Sequence, residues 1–164
     1  MKHQSQARYP ASSDVVIKMF SDRKFHTRKL DLMGLKDKQN YWVLEHALDG
    51  AEFRIRIKRK VPMQAPGIVK KFVPVESTVI NEERWNIKSK TGKVLVEPQG
   101  MPLEMSCVTT LRDQGGACIV SFDWTVHAKV PLVGGALEKF VVSDLEKRAA
   151  EETEIAIGLL KDYR

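Results

Sequence analysis

Arg148 and Glu152 stand four residues apart in a stretch without proline, so on a helix their side chains lie on one face and can touch. At about 100° per residue both fall inside an apolar stripe. A cation in that place could grip a carboxylate or phosphate head group. The same pair could be a partly buried salt bridge, or two side chains snorkelling past a sheet edge. Glu45 and His46 are adjacent, so on a strand they point to opposite faces, and whichever points inward could act as an acid or base, as could Glu152. Asp123 and His127 would share a strand face but stand about 13 Å apart, too far for a catalytic dyad. His3, His26, His46 and His127 are scattered and no CxxC pair occurs, so a metal centre is not expected. There is no glycine-rich phosphate loop, no GxSxG and no HExxH. No cofactor is expected.

The elements that must position these residues are legible in turn signals and periodicity. Residues 3–9 read as a strand. Ser12, Ser13 and Asp14 offer N-cap chemistry ahead of Val15, Val16, Met19 and Phe20 at helical spacing. Ser21 and Asp22 can cap a second short helix to about Leu30. Strands follow at 41–48 and 51–61, joined at Asp49-Gly50. In the second of these, Phe53, Ile55 and Ile57 point one way and Arg54, Arg56, Lys58 and Lys60 the other. Residues 62–74 are a proline-fenced loop carrying Met63, Ile68, Val69 and Phe72 beside Lys70 and Lys71. It could be a lid, a tip touching an anionic membrane surface, or a loop tucked onto the core.

Residues 75–88 form the next strand, with a turn at Thr91-Gly92 into 93–97. DQGG (113–116) then joins 103–112 to 117–130. The expected register opposes Leu111 to Cys118, Thr109 to Val120, Cys107 to Phe122, Met105 to Trp124 and Leu103 to Val126, which makes one face almost wholly apolar. Both cysteines lie on that face, about 13 Å apart along the ladder, so they are expected to be buried free thiols. Residues 136–163 form a long helix, about 40 Å, with Leu137, Val141, Leu145, Ile155, Ala156 and Leu159 as its stripe. Pro131 should end the ladder, and Gly134-Gly135 should let the chain turn sharply so that this helix lies along the dry face of the sheet.

The chain has 164 residues, 43% hydrophobic and 29% charged, and a net charge of +6, which fits one globular domain. The basic and acidic residues are mixed, and no aromatic residue interleaves with the basic row 54–60, so nucleic acid is an unlikely partner for this surface. No signal-peptide pattern opens the sequence, which points to the cytoplasm. Nothing bears on the oligomeric state.

The whole set is an α+β fold: a curved seven-stranded antiparallel sheet gripping a long C-terminal helix, with two short helices between strands 1 and 2. This order, with the KVPLVGGALEKF join at 129–140, resembles the START-like (SRPBCC) helix-grip superfamily, which includes the birch-pollen-allergen type, lipid-transfer domains and polyketide cyclases. The join is similar to that of a bacterial branch with no assigned function. The resemblance implies a cavity between sheet and terminal helix for a small hydrophobic or lipid-like ligand. Independently, a sheet gripping a single helix is expected to leave space at the ends of the helix, where neither surface reaches the other, for side chains or a ligand to fill. The expected wall is Val120, Phe122, Trp124, Met105, Phe53, Ile55, Trp85, Val141 and Leu145, with Arg148 and Glu152 as polar contacts; the aromatic residues could also be plain core. A carrier is the leading expectation. A cyclase- or hydratase-like enzyme, or a binder of anionic surfaces, is the alternative.

Overall fold

A computed structural model describes the whole chain, Met1–Arg164. The order is β1 (Lys2–Tyr9), α1 (Ser13–Phe20), α2 (Arg23–Leu32), β2 (Tyr41–Asp49), β3 (Glu52–Pro62), β4 (Glu76–Asn86), β5 (Thr91–Pro98), β6 (Leu103–Gln114), β7 (Ala117–Ala128) and α3 (Gly134–Leu159). The seven strands form one antiparallel, curved sheet in the order β1-β7-β6-β5-β4-β3-β2. No helix is long and apolar enough to cross a membrane.

Local chemistry explains the entry to the helices. The Ser12 hydroxyl caps α1 by accepting from Val15 N at 3.3 Å, and the Asp22 carboxylate caps α2 by accepting from Lys24 N at 3.1 Å. Ser13 then bolts α1 to the sheet, donating from its backbone N and its hydroxyl to the two Asp113 carboxylate oxygens at 2.7 and 2.6 Å. Those bonds hold the Asp113 carboxyl below its ordinary pKa.

Three turns differ in detail from the expected ones. In the β6–β7 hairpin the central residues are Gly115 and Gly116, both at positive φ (57° and 80°), because a two-residue turn of matching twist needs positive φ at both positions. Leu111 therefore opposes Val120, and Cys107 opposes Trp124. The register slides by two, so every side chain keeps its expected face. Cys107 and Cys118 are free and buried, and burial pushes the Cys107 thiol up to about 12.

Thr91-Gly92 is strand, not turn; the β4–β5 turn is residues 87–90. Gly92 is there for space. A Cβ on it would lie 2.4 Å from Trp85 Cε3 and 2.7 Å from Thr109 Oγ1, so the indole lies flat on the glycine. At the β7–α3 join, the left-handed residue is Leu132 (φ 70°), and neither Gly134 nor Gly135 has positive φ. The helix start is held instead by Glu138, whose carboxylate accepts from Ala128 N at 2.9 Å.

Two apolar clusters clamp α3. One gathers α1 and α2 with Ala156, Leu159 and Leu160 over one end of the sheet. The other gathers Val69, Val73, Met101 and Leu103 with Leu137, Val141 and Val142 at the other end. Between Val142 and Ala156 no residue of α3 is fully buried. The free space thus lies under the middle of the helix rather than at its ends, because both ends are docked.

Gly92→Ala is expected to destabilise the protein by about 1–3 kcal/mol in a urea melt, since the new methyl overpacks against Trp85. Gly67→Ala, which meets nothing within 4 Å, should stay within about 0.5 kcal/mol. An unshifted Gly92→Ala midpoint would show that Trp85 does not rest on β5.

Candidate functional site

The space under α3 is a cavity of about 500 Å³, within the size range that suits a small organic ligand. Its apolar end is built by Val61 from β3, Val79 from β4, Val94 and Val96 from β5, and Met105 from β6. Phe122 and Trp124 of β7, and Val141 and Leu145 of α3, complete it. These side chains converge because alternate residues of each strand face the helix, and α3 is held too high to fill the gap.

Of the expected wall, Phe122, Trp124, Met105, Trp85, Val141, Leu145, Arg148 and Glu152 line the cavity. Val120, Phe53 and Ile55 do not. They belong to the cluster that α1 and α2 cover: Val120 is fully buried there, Phe53 stacks on the His26 ring at 5.8 Å, and Ile55 faces only a side chamber of about 20 Å³.

Arg148 and Glu152 line the cavity, but each has a different ionic partner. Arg148 Nε donates to Asp144 Oδ2 at 2.7 Å and its Nη2 to the Pro62 carbonyl at 2.7 Å. The guanidinium therefore ties α3 to the end of β3 and is already occupied. Asp144, one helical turn before Arg148, is as close as Glu152 and wins. Glu152 instead sits between Lys29 Nζ at 3.4 Å and Arg59 Nη1 at 3.5 Å. Burial works to raise its pKa, but the two cations outweigh burial and hold the carboxyl below its ordinary value.

A polar cluster thus closes one end of the cavity. α2 supplies Lys29 and, one turn earlier, His26; β3 supplies Arg59; β4 supplies Asn81 and Glu83; α3 supplies Glu152. Glu83 accepts from Trp85 Nε1 at 3.2 Å and faces His26 Nδ1 at 3.5 Å. His26 Nε2–H donates to the Phe20 carbonyl at 2.7 Å. Burial lowers the His26 pKa against the opposing pull of Glu83. Lys29 and Arg59 balance Glu83 and Glu152 in charge. Arg59 Nε and Asn81 Oδ1 are buried without a hydrogen-bond partner in the protein.

Sequence reasoning missed these residues, though a signal existed. Arg59 continues the inward parity of Phe53, Ile55 and Ile57, and Asn81 and Glu83 share the parity of Trp85. A polar residue at a dry-face position was the mark. Glu45 and His46 are both exposed on the edge strand β2, where an irregularity at Leu44 shifts the pairing, and Glu45 pairs with Arg54 at 2.8 Å. Neither reaches the cavity. Asp123 and His127 are exposed as well. The 62–74 loop divides: Val69 and Val73 are buried in the core, Met63 lines the cavity, and Ile68, Lys70 and Lys71 stay exposed. No three His, Cys, Asp or Glu side chains gather as a metal would require.

A family model described as "Protein of unknown function (DUF2505)" matches residues 4–157. No curated protein sequence matches significantly. Solved structures with the same fold include Ara h 8.0201 (12% identity, TM-score 0.65, covering 99% of this chain and 98% of that one). The Zhui aromatase/cyclase from Streptomyces sp. R1128 is similar at 9% identity and TM-score 0.63, covering 98% and 93%. A START superfamily protein from Mycobacterium smegmatis is similar at 13% identity and TM-score 0.58, covering 96% and 98%.

Glu152→Gln is expected to lose about 2 kcal/mol or more near neutral pH, because it leaves Lys29 and Arg59 facing each other unpaired. A carboxyl with a depressed folded pKa stabilises above its unfolded pKa, and that contribution fades as pH falls through the folded value. The stability gap between wild type and variant should therefore close on titration from about pH 7 to about pH 3. A gap that is constant with pH would contradict the ion pairing.

Proposed function

Since the chain belongs to the DUF2505 family, whose function is unknown, and has the START-like helix-grip fold, we propose that it binds a small hydrophobic or lipid-like molecule between the sheet and α3 and acts as its carrier. The observation that carries this reading is the cavity itself. An apolar space of about 500 Å³ lies between two well-packed clusters, with one polar end. Native interiors are otherwise close-packed, so a gap of this size is kept for an occupant.

The Arg148–Asp144 pair supports the same reading by its position. It joins α3 to Pro62, where the 62–74 loop begins, and Met63 of that loop lines the cavity. The loop and the middle of the helix together form the side through which a ligand would enter. Exposed Ile68 and Val75, beside Lys70 and Lys71, would be the first groups to meet an anionic surface from which ligand is loaded.

Titration with the fluorescent apolar probe N-phenyl-1-naphthylamine should show one saturable site per chain. Val96→Trp, which fills the apolar end, should weaken it about tenfold or more without loss of fold. Absence of saturable binding, or binding indifferent to Val96→Trp, would refute the carrier reading. Compound extracted from the native protein should be chemically unchanged; conversion to a product would move the protein to the cyclase or hydratase class, for which Glu83, Asp144, Glu146 and Glu152 are the carboxylates lining the cavity.

A further inference from the structure

We propose that the loops at one end of the sheet form a single docking surface for an anionic lipid bilayer, with Leu132 as its central insertion point. The proposal rests on the carrier reading only for what docking delivers; the surface itself stands on separate observations.

The first is that three loops meet there. β3, β5 and β7 end, and β4 and β6 begin, at this end of the antiparallel sheet, so residues 62–75, 99–102 and 129–133 emerge side by side. Val69 and Val73 of the first loop, Met101 of the second and Leu137 just beyond the third share one apolar cluster, with Val130 packed against it. Lys129 N donates to the Pro102 carbonyl at 2.8 Å, and a Cβ on Gly100 would lie 4.0 Å from Pro74 Cγ.

The second is what these loops expose. Leu132 is fully exposed, Val75 is 79% exposed and Ile68 63%, and these are the three most exposed large apolar side chains of the protein. Leu132 also has φ 70°, where the Cβ of an L residue crowds the following carbonyl. Glycine would take that conformation freely. A leucine that strains the backbone and packs on nothing is not explained by the fold, and points to a partner.

The third is charge. Residues 62–75, 99–102 and 129–137 contain Lys70, Lys71 and Lys129 and not one of the 21 acidic residues. The acids at the borders are engaged or face elsewhere: Glu76 pairs with Lys60, Glu104 with Lys129 and Glu138 with the Met1 amino group, and Glu97 lies with Leu95 on the outer face of the sheet. Lys70 and Lys71 are exposed with no carboxylate partner. Single apolar side chains on separate tips, with lysines beside them, suit a fluid anionic interface. Each tip inserts on its own, and the lysines need only nearby phosphates rather than fixed partners. The same loops supply Met63 and Met101 to the cavity wall, so a docked bilayer would lie against the apolar end of the cavity.

The test is co-sedimentation of the full chain with equimolar phosphatidylcholine–phosphatidylserine vesicles and with pure phosphatidylcholine vesicles. Wild type should bind the anionic vesicles about tenfold or more tightly than the neutral ones, and raising salt from about 0.1 to about 0.5 M should cancel most of that difference. Leu132→Gly should weaken anionic-vesicle binding about fivefold or more, while its melting temperature holds or rises because the strain is relieved. The double variant Lys70→Glu, Lys71→Glu should weaken binding about tenfold or more. Leu48→Ser, which removes a leucine of similar exposure at the opposite end of the sheet, should leave binding unchanged. Binding of N-phenyl-1-naphthylamine without vesicles should be the same in Leu132→Gly as in wild type. Probe binding without any vesicle binding would overturn the docking surface and leave the carrier reading standing; vesicle binding without probe binding would do the reverse. Equal binding to both vesicle types, or equal losses in Leu48→Ser and Leu132→Gly, would overturn the proposal. So would a melting temperature lowered by Leu132→Gly, or self-association in sedimentation velocity that this substitution abolishes, which would make the end an interface between two copies.

Discussion

The docking of α3 at its two ends is the constraint on which the rest of the structure depends. At its start Leu137, Val141 and Val142 pack with Val69, Val73 and Met101; at its finish Ala156 and Leu159 pack with α1 and α2. A rigid helix fixed at two points cannot sag into the concave sheet between them. Its middle turns are therefore held off the strands, and the apolar faces of β3 to β7 are left with no protein partner there. The cavity is a consequence of helix stiffness and of where burial is concentrated. The helix itself leans on β7, β1 and α2, which leaves the gap open toward β3, β4 and β5.

The polar end of the cavity serves the clamp as well as the site. Glu152 is the only residue of α3 in the buried cluster that both Lys29 and Arg59 reach, so one carboxylate ties α3 to α2 and β3 together. Ion pairs of this kind are poor sources of net stability but costly to break. Their value here is geometric: they set the helix in a defined position over the sheet. The same arrangement that positions the helix thus gives an otherwise apolar space one end with hydrogen-bonding character.

Much of the architecture was legible in the sequence, because parity and turn chemistry are local. The two-residue slip in the β6–β7 register left all faces unchanged, since a shift by two preserves alternation. The glycines were harder. Gly92 looked like a turn residue until Trp85 was seen to rest on it, and Gly134-Gly135 looked like the hinge although Leu132 carries the positive φ. The site was only half legible. Arg148 and Glu152 were placed on the right face of α3, but their partners come from Asp144, Lys29 and Arg59. Choosing among these needs the height and tilt of α3, which no spacing rule supplies. Arg59, Asn81 and Glu83 were readable in principle, as polar residues at inward positions of β3 and β4. The cavity was misplaced to the helix ends because a gap is defined by what surrounds it; the docking of the 62–74 loop onto the core was one of three open readings of that loop, and spacing alone does not choose among them.

The most direct measurement is a crystal structure determined under xenon pressure, since xenon enters apolar cavities and leaves packed cores untouched. The account predicts xenon density under the middle of α3, between Val96, Met105 and Leu145, with Glu152 placed between Lys29 and Arg59. A structure in which residues 144–153 of α3 pack directly on β4 and β5, with no space for xenon between them, would contradict it.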